Sequence, residues 1–191
     1  VGVTWSQAKA FSVWRTQIFH SWLQSNGDLF VNDFRLPTES EWEFAARGGV
    51  KNNIYPWGNT NVDSGSAKCN YWQGSFPNKN ENTDSFYGAA PVRSFAPNSF
   101  GLYDMAGNVA EWTSSLYYEG GVNFLGEFSP DLQYDAKDND PIMMKRKVVR
   151  GGSWKDVSFN IQVSTRNFEY QDTAKSYIGF RCVLDMGPRS R

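Results

Sequence analysis

One histidine and two cysteines in 191 residues leave little material for imidazole or thiolate chemistry. A His-based zinc site, a Ser-His-Asp triad and a Cys-His dyad each need partners that His20 cannot supply alone, and His20 is expected at the rim of the first helix. Charge of one sign is also lacking. The 19 Lys and Arg balance 20 Asp and Glu, a net charge of −1, so there is no electrostatic footprint for nucleic acid or an anionic membrane surface. No apolar run approaches the roughly 18 residues of a membrane span. No phosphate-cradling loop ending in Gly-Lys-Ser/Thr and no Gly-x-Gly-x-x-Gly occurs, and no carboxylate pair is spaced in a way that singles it out for glycoside hydrolysis. A starting Met and a signal peptide are missing before Val1, so upstream sequence carrying address signals or a lipid anchor is expected. Cys69 and Cys182 allow one disulfide at most, and bridging would need their Cα atoms within about 7 Å.

What the chain has instead is aromatic side chains, at 16% of residues with eight Trp, and 17 Gly. That combination predicts a loop-rich single domain over residues 1–191, held by aromatic clusters rather than long ladders. Thr4 followed by Gln7 fits a capping box, and Phe11, Trp14, Ile18 and Trp22 then recur at helical spacing, predicting an amphipathic helix from Trp5 to Leu23. Thr38 before Glu41, with Gly48-Gly49 as the stop, predicts a second, short helix. From Val50 to Ser99 periodicity disappears, and a stretch this long inside a compact domain needs some other organiser, such as a bound ion. Residues 117–147 form an insertion, acidic at Asp131, Asp135, Asp138 and Asp140 and basic at Lys145 to Lys147. It reads equally as a solvated loop or a partner-binding surface. Short strands are expected at Val148–Arg150, Gln162–Thr165 and Gly179–Leu184.

The oxygen-rich segments are the candidates for a site. Asn70 and Asp84 lie in the aperiodic stretch, and Asp104 and Glu111 flank the Gly107-Asn108 turn. Hard oxygen donors joined by backbone carbonyls suit calcium. The same residue types in glycine-rich loops also serve as turn formers, and spacing alone does not choose between the two.

Several ordered motifs carry a family resemblance: Arg35 to Gly49, Tyr55-Pro56-Trp57-Gly58-Asn59, Asn70 to Pro77, Phe100 to Trp112, Arg150 to Trp154 and Gly179 to Cys182. They resemble the sulfatase-modifying-factor family, the α+β fold of the formylglycine-generating enzyme, which is related to C-type lectin domains. The family's N-terminal strands have no counterpart here. The resemblance implies two structural calcium sites. One set is Asn70, the Tyr71 carbonyl, Asp84 and the Phe86 carbonyl; the other is Asp104, the Gly107 and Val109 carbonyls and Glu111. It also implies that catalysis does not carry over. The enzyme binds Cu(I) through two cysteines whose positions hold Asp156 and Ile161, and a carboxylate with an alkyl group cannot form a dithiolate copper site. No copper and no catalytic residue are therefore expected. Cys182 matches a family cysteine whose disulfide partner position is Ser12, which implies a free, buried thiol.

Within that family, Asn139 to Pro141, Met144 to Val157 and Tyr170 to Arg181 are similar to the gliding-motility lipoproteins of the GldK (PorK) group, components of the type IX secretion system. That similarity implies a non-catalytic, calcium-braced ring component. It would be anchored by a lipid to the periplasmic face of the outer membrane, and its partners would be copies of itself and a GldN (PorN) protein. An oxidative enzyme of the family, or a glycan- or peptide-binding module, are the alternatives.

Overall fold

The computed structural model describes residues 1–28, 31–63, 65–120 and 131–185. Helix α1 spans Trp5–Asn26, with the Thr4 capping box in place and Gly27 closing it in the left-handed conformation. Helix α2 spans Glu39–Arg47, capped by Thr38 and closed by Gly48. Among the described residues six short strands follow the expected economy of regular structure: β1 Phe34–Arg35, β2 Ala110–Leu116, β3 Arg146–Arg150, β4 Asn167–Tyr170, β5 Ile178–Phe180 and β6 Val183–Leu184. The main sheet runs β4-β3-β2-β5, with β2 antiparallel to β3 and parallel to β5, while β1 and β6 form a separate antiparallel pair.

Three predicted features are corrected. Gln162–Thr165 is a series of turns and the strand lies beyond it, at β4, because Val163 is drawn into the α2 cluster with its N–H on the Ile54 carbonyl. Gly179–Leu184 splits between the two sheets at Arg181-Cys182. In α1, the face that looked like the core face is outside. Trp5, Ala8, Ser12, Thr16 and Leu23 are buried instead, while Phe11, Trp14, Ile18 and Trp22 are exposed. Two hydroxyls are tolerated in the interior because each is bonded: Ser12 Oγ to the Ala8 carbonyl and Thr16 Oγ1 to the Ser12 carbonyl, the latter also accepting the Phe34 N–H. Small side chains let the helix sit close to the β1–β6 pair.

Three aromatic-rich clusters make the interior. Trp5, Trp112, Val149 and Ile178 join α1 to the sheet; Tyr55, Tyr71, Cys69, Ala106 and Ile161 hold the loops; Trp42, Met105 and Val163 seat α2. Among the described residues between 50 and 99 there are turns and one isolated bridge, between Tyr55 and Gly58, as the loss of periodicity predicts. Buried Arg150 ties β3 to α2 through Glu43 and Glu39. Of the 117–147 insertion, residues 121–130 lie outside the described residues. The part that follows is strapped to the body rather than free: Asp131 accepts from Ser40 N and Ser115 Oγ, Asp135 pairs with Lys9 at 2.6 Å, and Gln171 donates to the Ala136 carbonyl.

Candidate functional site

The oxygen donors converge where two turns cross. Asn70 and the Gly107-Asn108 turn meet directly, Asn108 N–H donating to the Asn70 carbonyl at 2.7 Å. Gly107 and Asn108 both adopt positive φ, at 68° and 63°. Asp84 folds back onto the same place, its carboxylate accepting from Tyr71 N and Phe86 N at 3.3 and 3.0 Å. Asn70, Tyr71, Asp84 and Phe86 are thus brought into one loop cluster although they span 17 positions of chain.

Asn70 carries the observation that matters most. It is 1% exposed, its amide nitrogen donates to the Gly88 carbonyl at 2.7 Å, and its amide oxygen has no hydrogen-bond partner among the described residues. Such an orphaned acceptor costs about 1–3 kcal/mol if left bare. Neither the Tyr71 nor the Phe86 carbonyl accepts a backbone hydrogen bond among the described residues. One buried amide oxygen, one carboxylate and two carbonyls outside the backbone hydrogen-bond network are a donor set that suits calcium.

The second set is more heavily committed. Glu111 accepts from Arg181 through both oxygens at 2.5 and 2.6 Å and from the Trp42 indole at 2.7 Å. Burial works to lower the Arg181 pKa, and the Glu111 carboxylate outweighs it, leaving the value raised. Three of the four lone-pair directions of Glu111 are therefore used. Asp104, at φ 56°, accepts the Arg93 N–H. Gly107 and Val109 lie between them in the turn that feeds β2. Among the described residues no group of three or more His, Cys, Asp or Glu is assembled, so any ion here depends on amide and carbonyl oxygens.

Asp156 and Ile161, which the resemblance sets at copper-ligand positions, both have other work in this fold. Ile161 is 0% exposed and packs in the cluster of Tyr55, Tyr71 and Cys69. Asp156 closes a turn, one carboxylate oxygen accepting from both Ser153 N and Ser153 Oγ, at 2.9 and 2.6 Å. Its backbone also receives Trp72 N–H at 2.9 Å, stitching this turn to the loop that begins at Asn70. A polar cavity of about 200 Å³ remains beside it, lined by Lys155, Asp156, Asn160, Asn167, Glu169 and Tyr177 among others. Cys69 and Cys182 are both free; burial pushes the Cys69 thiol well above its ordinary pKa, and Cys182 Sγ lies 3.3 Å from Ser12 Oγ. Cys182 is half-buried rather than buried. His20, on α1, has Nε2 2.8 Å from the Val31 carbonyl.

A family model described as a sulfatase-modifying factor enzyme 1-like domain matches residues 1–186. The chain belongs to that family. It is 38% identical over 193 residues to the inactive C-alpha-formylglycine-generating enzyme 2 of Bos taurus, covering 98% of this chain and 50% of that protein. It is 35% identical over 188 residues to the formylglycine-generating enzyme of Thermomonospora curvata, covering 97% of this chain and 55% of that one. Relatives named as inactive and as enzymes thus stand at similar distance, and the chain spans about half the length of both. Among solved structures, PvdO of Pseudomonas aeruginosa shares the fold, with a TM-score of 0.67 at 23% identity over 97% of this chain and 61% of its own. A buried lysine, Lys147, was not legible as special in the sequence. It is 0% exposed, bonds to the Tyr134 carbonyl and sits 4.0 Å from the Trp5 ring, and desolvation brings its pKa down to about 8.

Proposed function

We propose that this domain is a non-catalytic, calcium-braced scaffold, a component of the type IX secretion and gliding-motility machinery. The observation that carries the non-catalytic reading is the use made of the two copper positions. Ile161 is a core side chain and Asp156 is the closing group of a turn. Neither offers a thiolate, and soft ligands are what copper(I) selects. The kinship with a relative named as inactive supports the same conclusion.

Calcium would be held first by Asn70, the Tyr71 carbonyl, Asp84 and the Phe86 carbonyl, and by Asp104, Gly107, Val109 and Glu111 at the second set. Its role would be to fix loops that have no ladders of their own. The similarity of Met144 to Val157 and Tyr170 to Arg181 to the GldK (PorK) lipoproteins supports a ring assembly of this chain with itself and a GldN (PorN) partner. In that assembly the protein faces the periplasm from the outer membrane, held by a lipid carried outside this chain.

Two measurements test the reading. Purified protein titrated with Cu(I) and given a cysteine-containing sulfatase peptide should bind no copper stoichiometrically and form no formylglycine; turnover would establish the oxidative alternative. Co-expression with the GldN-type protein should yield a complex that survives size exclusion, and its absence would remove the secretion assignment.

A further inference from the structure

Helix α1 turns its most aromatic face to solvent. Phe11, Trp14, Ile18 and Trp22, spaced by three, four and four residues, form one stripe about 16 Å long. They are 41%, 52%, 56% and 56% exposed. The helix cannot roll to hide them, because Trp5, Ala8, Thr16 and Leu23 hold its opposite side in the core and Trp5 Nε1 is bonded to the Thr113 carbonyl at 2.7 Å. The rings are also held in place. Phe11 lies edge-on to Phe180 with centroids 5.3 Å apart and contacts Trp14 at the same separation. Trp22 stacks on Phe19 at 5.9 Å, and Phe19 is edge-on to Phe34 at 5.6 Å. Rigid aromatic side chains of this kind dominate interface energetics because little conformational entropy is lost when they dock.

Four half-exposed large side chains present about 400 Å² of apolar surface, as much as the largest patch on an ordinary monomer. A standard interface takes about 800 Å² from each partner, so the stripe would be the centre of a contact and not all of it.

Charge decides what can cover it. The sequence of α1 contains Lys9, Arg15 and His20 and no Asp or Glu. Lys9 is already paired with Asp135. Arg15, which borders the stripe, lies 4.4 Å from the Phe34 ring centroid and makes no ion pair among the described residues. A second copy docked stripe to stripe would set cation against cation with no carboxylate from either helix. We propose that the α1 stripe is a docking surface for a partner helix whose apolar face is bordered by carboxylates. This deepens the scaffold reading and rests on it for treating the stripe as an assembly contact.

The test uses two synthetic helical peptides with the same Leu-Ile face, one bordered by Glu and the other by Lys, titrated into the intact protein at low salt. Docking is read as a blue shift of Trp14 and Trp22 fluorescence, with sedimentation velocity of the peptide-free protein alongside. The Glu-bordered peptide should bind at least about tenfold more tightly. The double variant Trp14→Ser/Ile18→Ser should lose that binding while keeping its melting temperature, and Arg15→Glu should reverse the preference. Equal affinity for both peptides, or no binding of either, overturns the proposal. So does a concentration-dependent dimer that the double variant abolishes, because the occupant would then be a second copy. Copper-dependent turnover would remove the scaffold reading and leave the peptide result standing.

Discussion

Gly107 sits so close against the carbonyl of Asn70 that a Cβ at position 107 would collide with that oxygen. Its φ of 68° disfavours an L side chain independently. This contact joins the two oxygen-rich segments, and the neighbouring Asn108 N–H donates to the same oxygen. Gly107→Ala should therefore destabilise the fold by about 2 kcal/mol or more, through strain and collision together. Urea unfolding of the variant checks this, and a loss under about 0.5 kcal/mol would contradict the close approach.

Chelation should lower the melting temperature. A ligand at about 100 times its Kd that binds only the folded state adds about 2.7 kcal/mol, which corresponds to roughly 5–10 °C for a domain of this size. Adding EGTA to calcium-loaded protein should produce that drop. Asp84→Asn, which keeps the size of the side chain and removes its charge, should reduce the drop severalfold. A melting curve indifferent to EGTA, with no calcium found by elemental analysis, would exclude the ion.

Ile161 gives a prediction that separates a core residue from a vestige. Ile161→Ala should cost about 2–5 kcal/mol and Ile161→Val about 1 kcal/mol, since each removes buried methyl groups from a packed cluster. Asp156→Asn should cost less, about 1 kcal/mol, because the amide oxygen can still accept from Ser153. Denaturant midpoints of the three variants provide the comparison.

Lys147 makes stability depend on pH on the alkaline side. Its pKa falls from 10.5 to about 8 in the fold, first through desolvation, with Lys9 adding to the drop and Asp135 and Asp172 opposing it. Between those values the unfolded chain binds more protons than the folded one, so this group makes stability rise as pH increases from about 8 to 10.5. Lys147→Met should remove that rise and stabilise the protein near neutral pH. The readout is the difference between the two proteins in urea midpoint across that range.

Much of the local structure is legible in the chain. Both helix starts are written as capping boxes at Thr4 and Thr38, and both stops as glycines, because those rules involve residues three or four apart. The loop character of residues 50 to 99 follows from their lack of periodicity. The β-branched run at Gln162–Thr165 does not form the expected strand, because β propensity measures fit to a half-buried sheet surface and Val163 is drawn to the α2 cluster instead. Strand β2 has no apolar alternation to mark it, because Thr113, Ser114 and Ser115 are polar. Thr113 and Ser115 are buried there, with Thr113 bonded across to the Val148 carbonyl.

The sequence by itself determined the family, the two helices with their capped starts, and which oxygen-bearing residues are candidates for a site. Each of those depends on which residue stands at a position or a few places away. Only the tertiary structure decided which face of α1 is inside, that Lys147 is desolvated, that the strap after residue 130 is bonded down, and that no described group bonds the Asn70 amide oxygen. Those outcomes come from segments tens of residues apart competing for the same buried space. Spacing along the chain records no such competition.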